Sequence, residues 1–305
     1  IKQDLPLKMD IYGTYKNLFI ISIAQEWLGF PVGSLLAVEI EDALKGDIVS
    51  NSIKMLFMPS ETSFLRNGSI GSDQILVNVL DNIKGKIIHF EKIGKTWFES
   101  NIKGFDEDML SVAGSDNWSN RSFLESESFT QPTGLYFSEN SKEYKKIKSL
   151  PQKFDPTKYE VEQFFSESKD GTKIPYFQIS RKDMIANSKN PTLLYGYGGF
   201  EISLTPSYLS AFTTKWIDDG GVYVIANIRG GGEYGPKWHQ SALKVNRQRA
   251  YDDFISVAEE LIEREVTSPR NLGIRGGSNG GLLVGAVFTQ RPDLFNACLL
   301  YTSPS

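Results

Sequence analysis

The sequence has a single cysteine in 305 residues, so it can form no internal disulfide and no zinc site made of several cysteines. This residue, Cys298, lies in the apolar segment 297–300, where we expect a buried structural thiol rather than a nucleophile. Histidine is also scarce, because only His89 and His239 are present and neither belongs to an H-E-x-x-H pattern. We therefore expect neither a metal ion nor a cofactor.

Long apolar runs and a strong charge of one sign are missing as well. No apolar run approaches the roughly 18 residues of a membrane span. The net charge of −4 and the pI near 5.5 predict no basic surface for nucleic acid. With 40% hydrophobic and 23% charged residues, the composition is typical of a soluble globular protein with ample core. We expect no nucleic-acid partner and no association with a membrane.

The first half of the sequence has the pattern of strands. From residue 1 to 155 we find no convincing amphipathic helix, only short β-rich runs between Gly, Asn, Asp or Ser turns. Such meandering strands are typical of a sandwich, a barrel or propeller blades, and at about 40–45 residues a blade this half would supply three to four blades. The predicted strands are 17–23, 34–40, 55–58, 74–80, 86–92, 96–99, 109–113 and 134–138.

The pattern changes after the polar, proline-flanked connection 150–156, which we interpret as a domain boundary. A hairpin is predicted first, because two apolar runs flank an Asp-Gly turn at residues 170–171. Strands and helices then alternate, which predicts a mostly parallel sheet covered by helices on both faces. The predicted strands are 159–165, 174–179, 192–195, 222–228, one near 272 and 296–301, and the predicted helices lie within 207–219, at 247–265 and after residue 280.

One stretch of the second half carries recognisable chemistry. Residues 276–280 (GGSNG) match the G-x-S-x-G nucleophile elbow, with an apolar strand before them and an apolar helix after them. A serine at the tip of such a turn has a strained backbone, and side chains on its neighbours would collide with the flanking elements. The positive end of the helix would face a substrate oxyanion. We therefore interpret Ser278 as a nucleophile and the order of elements as that of an α/β-hydrolase.

Two other glycine-rich turns follow strands at the same edge of the predicted sheet. The first, at 195–200 (YGYGGF), is where α/β-hydrolases complete the oxyanion hole. The second, at 229–235 (RGGGEYG), contains G-x-G-x-x-G, the pattern of a dinucleotide site. Pro236 follows directly where that site needs a helix, and Asp252 and Asp253 lie inside a predicted helix instead of ending a strand. We predict no nucleotide site.

The segments YGYGGF, NIRGGGEYG (227–235) and GGSNGG (276–281) together resemble the prolyl oligopeptidase family of serine peptidases. The resemblance covers most of residues 160–300. It implies a partial all-β β-propeller, the C-terminal blades, in residues 1–155, and the N-terminal part of an α/β-hydrolase catalytic domain in residues 156–305. It also implies a short peptide as substrate, a monomer, and a cytoplasmic location with the periplasm as the alternative.

The resemblance also implies roles for matching positions. Ser278 would be the nucleophile, while the backbone N–H of Asn279 and the phenol of Tyr197 would donate to the oxyanion. Phe200 would help to line the pocket that accepts proline. Two alternatives stay open, namely that Tyr197 is an ordinary aromatic residue packed on the rim of the sheet and that Phe200 is plain core.

The same comparison leaves the catalytic base unassigned. Arg229 and Glu233 match family positions, and we interpret them as a buried or half-buried ion pair that holds the loop. His239 precedes the serine, whereas α/β-hydrolases have the order serine, acid, histidine, so we do not interpret it as the base. After Ser278 the sequence has no histidine and one acid, Asp293. We expect a fragment, truncated at both ends and inactive, whose catalytic acid and histidine lie beyond it.

Two other functions remain open at this point. One is that of an esterase or acylaminoacyl-peptidase with the same fold. The other is that of a non-catalytic propeller binding module whose hydrolase half is vestigial. The leading interpretation is a fragment of an enzyme similar to prolyl oligopeptidase, because three concordant motifs are far more specific than the elbow alone.

Overall fold

The computed structural model describes residues 4–105 and 109–301. The chain divides into two compact units, one made of residues up to 128 together with 132–151, the other of residues 129–131 together with those from 152 onward. None of the helices in the described ranges has both the length and the apolar character needed to cross a bilayer.

Among its described residues the first unit contains three four-stranded sheets, each entirely antiparallel. In every sheet the strands are hydrogen-bonded in the order in which they follow one another along the chain, as in a meander. The first sheet consists of β1 (Met9–Tyr15), β2 (Leu18–Ile23), β3 (Leu35–Glu39) and β4 (Lys54–Phe57). The second consists of β5 (Ser63–Ile70), β6 (Ile75–Asp81), β7 (Lys84–Ile93) and β8 (Thr96–Asn101), and the third of β9 (Met109–Ser115), β10 (Ser122–Glu127), β11 (Gly134–Ser138) and β12 (Lys145–Ser149).

The second sheet has apolar cores on both of its faces, as its strand β6 shows. Ile75, Val77 and Val79, which alternate along β6, pack in one core with residues of the first sheet. Leu76, between them, packs in another core with Leu124 of the third sheet. The three sheets are therefore held together by the burial of apolar side chains from both faces of the middle one.

All eight strands predicted in this half are confirmed, but four others were missed: β1, β5, β10 and β12. The expectation of no helix is also wrong, because α1 (Ile40–Lys45) lies between β3 and β4. This helix has only six residues and ends at Gly46, whose φ of 63° is left-handed. Six residues are too few for a helical repeat of apolar residues to be visible in the sequence.

The second unit is built on one six-stranded mixed sheet with the order β13-β14-β16-β15-β17-β18. The predicted hairpin, β13 with β14, is antiparallel and pairs with β16, and from β16 to β18 the neighbouring strands are parallel. The strands are β13 (Tyr159–Glu167), β14 (Lys173–Arg181), β15 (Thr192–Gly196), β16 (Val222–Ala226), β17 (Leu272–Gly277) and β18 (Ala297–Tyr301). The helices are α2 (Ala211–Asp218), α3 (Pro236–Gln240), α4 (Gln248–Glu263) and α5 (Asn279–Gln290).

The central strands of this sheet lie in the core of the unit. All five residues of β16 are buried, as expected for a parallel strand covered on both faces. Phe254 of α4 and Leu283 of α5 are fully buried in the same core. Because the carboxyl ends of parallel strands meet at one edge, the segments that follow β15, β16 and β17 lie along a common edge of the sheet.

Cys298 lies in β18, which pairs with β17 at the end of the sheet. The prediction that its thiol is buried is only partly right. Its side chain is half-buried and packs at the margin of the core. This exposure follows from the position of β18, which is the last strand of the described sheet.

Candidate active site

Ser278 stands alone between the end of β17 and the start of α5. Its φ of 55° and ψ of −120° lie in a region that residues with side chains rarely adopt, and its side chain is exposed. The backbone N–H of Ser278 donates to the carbonyl oxygen of Tyr301 over 2.7 Å, and its own carbonyl accepts the N–H of Gly281 over 2.9 Å. The serine is therefore held in a strained turn immediately before the first residue of a helix, as predicted.

Glycines around Ser278 allow the close approach of backbones that the turn requires. A Cβ atom added to Gly276 would lie 1.9 Å from the carbonyl oxygen of Gly280. A Cβ atom added to Gly280 would lie 2.6 Å from the carbonyl oxygen of Gly196, at the end of β15. Both distances are far inside van der Waals contact, so the predicted collision of side chains with the flanking elements is confirmed.

The loop after β15 lies against the start of α5. The side-chain Nδ2 of Asn279 donates to the carbonyl oxygen of Tyr197 over 2.6 Å, and the side chain of Tyr197 is half-buried. Phe200 has a φ of 53° and is 74% exposed, so the alternative that it is plain core is wrong. The structure brings Tyr197 and Asn279 together beside Ser278, while the roles of these residues in catalysis stay predictions.

The loop after β16 begins with an arginine that is almost fully buried. Arg229 bonds Asp253 of α4 through Nε (2.9 Å) and Nη2 (2.5 Å), and bonds Asp170 of the hairpin turn through Nη1 (2.6 Å). Its partner is therefore not Glu233, and the predicted ion pair between them is wrong. Burial lowers the pKa of Arg229, but the two carboxylates outweigh burial and hold it above the ordinary value.

Asp170 and Asp253 respond differently to the same arginine. The hydrogen bonds from Arg229 hold the pKa of Asp170 far below its usual range. Burial raises the pKa of Asp253, and the bonds from Arg229 and Ser168 oppose that rise. Every hydrogen-bonding group that faces Asp253 here is a donor, including the backbone N–H of Arg229 at 3.0 Å, so we describe Asp253 as a carboxylate.

Glu233, four positions further along this loop, is buried without a cation. Its Oε1 accepts the backbone N–H of Leu204 over 2.9 Å and the Nδ2 of Asn227 over 3.4 Å. No described residue contacts its Oε2 with a hydrogen bond. Burial raises the pKa of Glu233 from the ordinary value of 4.5 to about 7. Between these two pH values Glu233 is mostly protonated, whereas an exposed glutamate is mostly ionised.

The second half of this loop corrects one step of the argument against a nucleotide site. Pro236 does not prevent a helix, because α3 begins at that residue and proline is tolerated at the first helical position. The second reason, that the acids lie inside a helix, is correct, since Asp253 lies in α4 and is bonded to Arg229.

His239 lies in the same region and contacts the backbone of the loop. Its Nδ1 lies 2.7 Å from the carbonyl oxygen of Gly230, so this ring holds the loop. Over residues 4–105 and 109–301, no His, Cys, Asp and Glu side chains are grouped to hold a metal ion.

Arg247, just before α4, is the residue of this region that the sequence did not reveal. Its Nη1 donates to the carbonyl oxygen of Gly198 over 2.5 Å, and its Nη2 lies 3.4 Å from the Oδ1 of Asn279. These contacts join positions 49 and 32 residues apart along the chain. No local pattern signals such contacts, because they exist only once three loops have met at the edge of the sheet.

Comparison with known proteins agrees with this architecture. A family model described as the prolyl oligopeptidase family matches residues 207–304. A protein from Sinorhizobium fredii, named an uncharacterized peptidase, is 39% identical over 302 residues, which are 97% of this chain and 42% of that protein. Residues 207–304 thus match the prolyl oligopeptidase family, as the resemblance of the sequence motifs predicts.

Two further relatives have more specific names. The prolyl endopeptidase of Elizabethkingia miricola is 46% identical over 165 residues, which are 54% of this chain and 23% of that enzyme. The solved structure of a post-proline cleaving enzyme from Rickettsia typhi superposes with a TM-score of 0.84 and 34% identity, over 97% of this chain and 44% of that one. The chain thus spans less than half the length of each of these three proteins.

Proposed function

We propose that the protein containing this chain is a serine-type prolyl oligopeptidase, which cleaves short peptides through an acyl-enzyme on Ser278. The single observation that carries the proposal is the strained, exposed Ser278 at the first turn of α5, with the loop of Tyr197 bonded to the next residue. The names of the relatives, a prolyl endopeptidase and a post-proline cleaving enzyme, support proline as the residue before the cleaved bond.

In the acylation step, the Oγ of Ser278 attacks the carbonyl carbon of the scissile bond and passes its proton to a base. The electron pair of the C=O bond moves to the carbonyl oxygen, where the N–H of Asn279 and the phenol of Tyr197 donate hydrogen bonds to it. Collapse of this intermediate breaks the C–N bond, and the base returns the proton to the leaving amine. Attack by water on the ester then releases the acid and restores Ser278.

The base and the acid that orients it come, in this proposal, from residues outside these 305. Of the two histidines, His89 is buried in the first unit and His239 binds the carbonyl of Gly230. Asp293, the acid that follows the serine, is exposed and accepts hydrogen bonds from Arg291 over 2.7 and 2.9 Å. This chain would then supply the nucleophile and the oxyanion donors, and would not hydrolyse peptides by itself.

We propose the same division of the fold as the sequence predicts. Residues 1–155 would be blades of a β-propeller, which three meandering four-stranded sheets support, and residues 156–305 would be part of an α/β-hydrolase domain. The exposed Phe200 would help to line the pocket that accepts the proline side chain. A monomeric state and a cytoplasmic location are further proposals that rest on the family resemblance.

The test uses the full-length protein, meaning the complete gene product that contains these residues. We expect cleavage after proline in a short chromogenic peptide, and covalent labelling of Ser278 by a fluorophosphonate probe found by mass spectrometry. Ser278→Ala should abolish labelling and lower kcat by about 10⁴-fold or more, because the serine, the base and the acid act as a unit.

The matched control is Ser268→Ala, which changes a half-buried serine of the same unit outside the elbow. This variant should keep both labelling and peptide cleavage. Turnover of p-nitrophenyl esters without any cleavage of peptides would favour an esterase instead. A full-length protein that is neither labelled nor active would favour the binding module, and hydrolysis by residues 1–305 alone would contradict our assignment of the base.

A further inference from the structure

The guanidinium of Arg247 lies where the loop after β15 meets the elbow. Its Nη1 donates to the carbonyl oxygen of Gly198 over 2.5 Å, and its Nη2 lies 3.4 Å from the side-chain Oδ1 of Asn279. The other end of the same amide, Nδ2, donates to the carbonyl oxygen of Tyr197 over 2.6 Å. Arg247 and Asn279 therefore hold two successive peptide carbonyls of one loop.

The surrounding backbone leaves room for these two side chains only because the loops are built of glycine. A Cβ atom added to Gly199 would lie 2.3 Å from the Nδ2 of Asn279. A Cβ atom added to Gly230 would lie 3.0 Å from the Nη1 of Arg247 and 2.5 Å from the carbonyl oxygen of Gly198. All three glycine-rich segments thus converge on the Arg247–Asn279 contact.

The conformation of Arg247 is itself restrained. Its guanidinium lies 5.3 Å from the centre of the Tyr251 ring, one turn further along the chain, and the side chain is half-buried. A planar guanidinium can direct separate N–H groups at two acceptors, whereas the ammonium of lysine has no such fixed geometry. The site therefore uses the particular shape of arginine and not only its charge.

We propose that Arg247 and the side-chain amide of Asn279 are positioning residues for the oxyanion hole. By fixing the carbonyls of Tyr197 and Gly198, they set the place of the Tyr197 phenol relative to the N–H of Asn279, so that both donors reach one oxygen. The inference rests on the proposed peptidase function. It differs from the role of the Asn279 backbone N–H, because it concerns the side chain of that residue.

The experiment compares Arg247→Met with Arg249→Met in the full-length protein. Arg249 is a matched control, because it lies two positions away and also donates to a backbone carbonyl, that of Ser241, over 2.9 Å. Arg247→Met should lower kcat about 10- to 100-fold with little change in KM, since a small displacement of a catalytic group has effects of this size. Arg249→Met should leave both constants within about twofold of the wild type.

A double-mutant cycle with Tyr197→Phe separates positioning from a general structural role. If Arg247 acts through the phenol, Arg247→Met should lower kcat much less in the Tyr197→Phe protein than in the wild type. Asn279→Ala keeps the backbone N–H and should behave like Arg247→Met in the same cycle. Arg247→Lys should recover only part of the lost activity, because one donor replaces the planar pair.

Each outcome has a distinct meaning. Equal fold-losses in the wild-type and Tyr197→Phe proteins, or full activity of Arg247→Met, would overturn the positioning role while the proposed function stands. Loss of labelling of Ser278 by the fluorophosphonate probe in Arg247→Met, together with a lowered melting temperature, would also overturn it in favour of a folding role. An inactive, unlabelled wild-type protein is the separate failure of the proposed function.

Discussion

The loop after β16 holds two buried ionisable groups that are treated in opposite ways. At one end, Arg229 is surrounded by the carboxylates of Asp170 and Asp253, which come from the hairpin and from α4. Four positions later, Glu233 is equally buried, and its Oε1 accepts hydrogen bonds from the N–H of Leu204 and the amide of Asn227. We call these the Arg229 cluster (Arg229, Asp170, Asp253) and the Glu233 cluster (Glu233, Asn227, Leu204).

The two clusters show that burial alone does not determine whether a side chain is ionised. A buried charge is tolerated when partners of opposite sign are bonded to it, and otherwise the group takes or loses a proton. The Arg229 cluster joins three elements of the unit by ionic bonds. The Glu233 cluster instead holds the peptide group of Leu204, since Asn227 also donates to the carbonyl oxygen of Leu204 over 2.7 Å. The Arg229 cluster is therefore ionic, whereas the carboxyl of the Glu233 cluster is neutral below about pH 7 and ionises as the pH rises through that value.

The largest effect is expected when the ionic cluster is broken. Asp253→Ala leaves the guanidinium of Arg229 buried, with the partly exposed Asp170 as its remaining carboxylate partner. Removing one partner of a buried pair typically destabilises a protein by about 3–5 kcal/mol. We expect a loss of this size in the free energy of unfolding of the full-length protein, measured by urea denaturation.

The neighbouring acid provides the control. Asp252 has the same side chain, but it lies towards the solvent and is bonded to Gln248 of its own helix over 2.9 Å. Asp252→Ala should change the free energy of unfolding by no more than about 0.5 kcal/mol. If the two alanine variants were equally stable, the ionic cluster would have no special place in the fold.

A smaller effect of opposite sign is expected at Glu233. Its pKa in the folded protein is about 7, above the ordinary value of 4.5, so the folded state holds a proton that the unfolded chain releases. Stability should therefore be full below about pH 4.5, fall as the pH rises through 7, and level off above that. Glu233→Gln is neutral at every pH and should be more stable than the wild type at pH 8, by up to about 3 kcal/mol.

The measurement at Glu233 is the difference in free energy of unfolding between Glu233→Gln and the wild type, at pH 5 and at pH 8. The difference should be small at the lower pH and favour the variant at the higher one. Glu263→Gln, at an exposed acid of α4, controls for the loss of a negative charge. A difference that does not change with pH would mean that Glu233 is ionised in the folded state like the carboxylates around Arg229.

The two clusters also mark the limit of what the sequence predicts about the site. Ser278 and its glycines could be recognised because strand, turn and helix are adjacent in the chain, and the chemistry of the turn is local. The partners of Arg229 are 59 and 24 positions away from it, so only the fold brings them together. Arg229 and Glu233 both match family positions in one loop, but such a match does not show which residues bond to each other, and the predicted ion pair between them is wrong. Arg247 was missed for the same physical reason.

The fold was predictable where burial gives a strand an unbroken apolar pattern. Such a strand is β16, in which every residue is buried, and its position was predicted. By contrast every residue of β12 is exposed, so burial imposes no apolar pattern on this strand, and lysine is common on edge strands. In β5 the Asn-Gly pair at 67–68 has the pattern of a turn, but it lies within the strand at a shift of register.

The smallest effect, in the first unit, sharpens the contrast between neutral and ionic burial. His89 is buried, its Nε2 lies 3.2 Å from the Oε1 of Gln74, and Glu91 and Lys142 are the charged groups that face it. Burial lowers the pKa of His89, the attraction of Glu91 opposes this, and the repulsion of Lys142 adds to it. The folded pKa thus lies below that of the unfolded chain, so stability is present at neutral pH and is lost as the pH falls below about 6.5.

This pH dependence is opposite to that of Glu233, although burial favours the neutral form of both groups. His89→Gln keeps a side-chain N–H for Gln74 and cannot be protonated. The difference in free energy of unfolding between this variant and the wild type should therefore shift in favour of the variant from pH 8 to pH 5. The effect should be smaller than that of Glu233→Gln, because Glu91 offsets part of the cost of charging His89. Unfolding curves of both proteins at pH 5 and pH 8 measure it. If the wild type instead became more stable than His89→Gln in acid, the attraction of Glu91 would outweigh burial. His89 would then be charged in the folded protein, as Arg229 is.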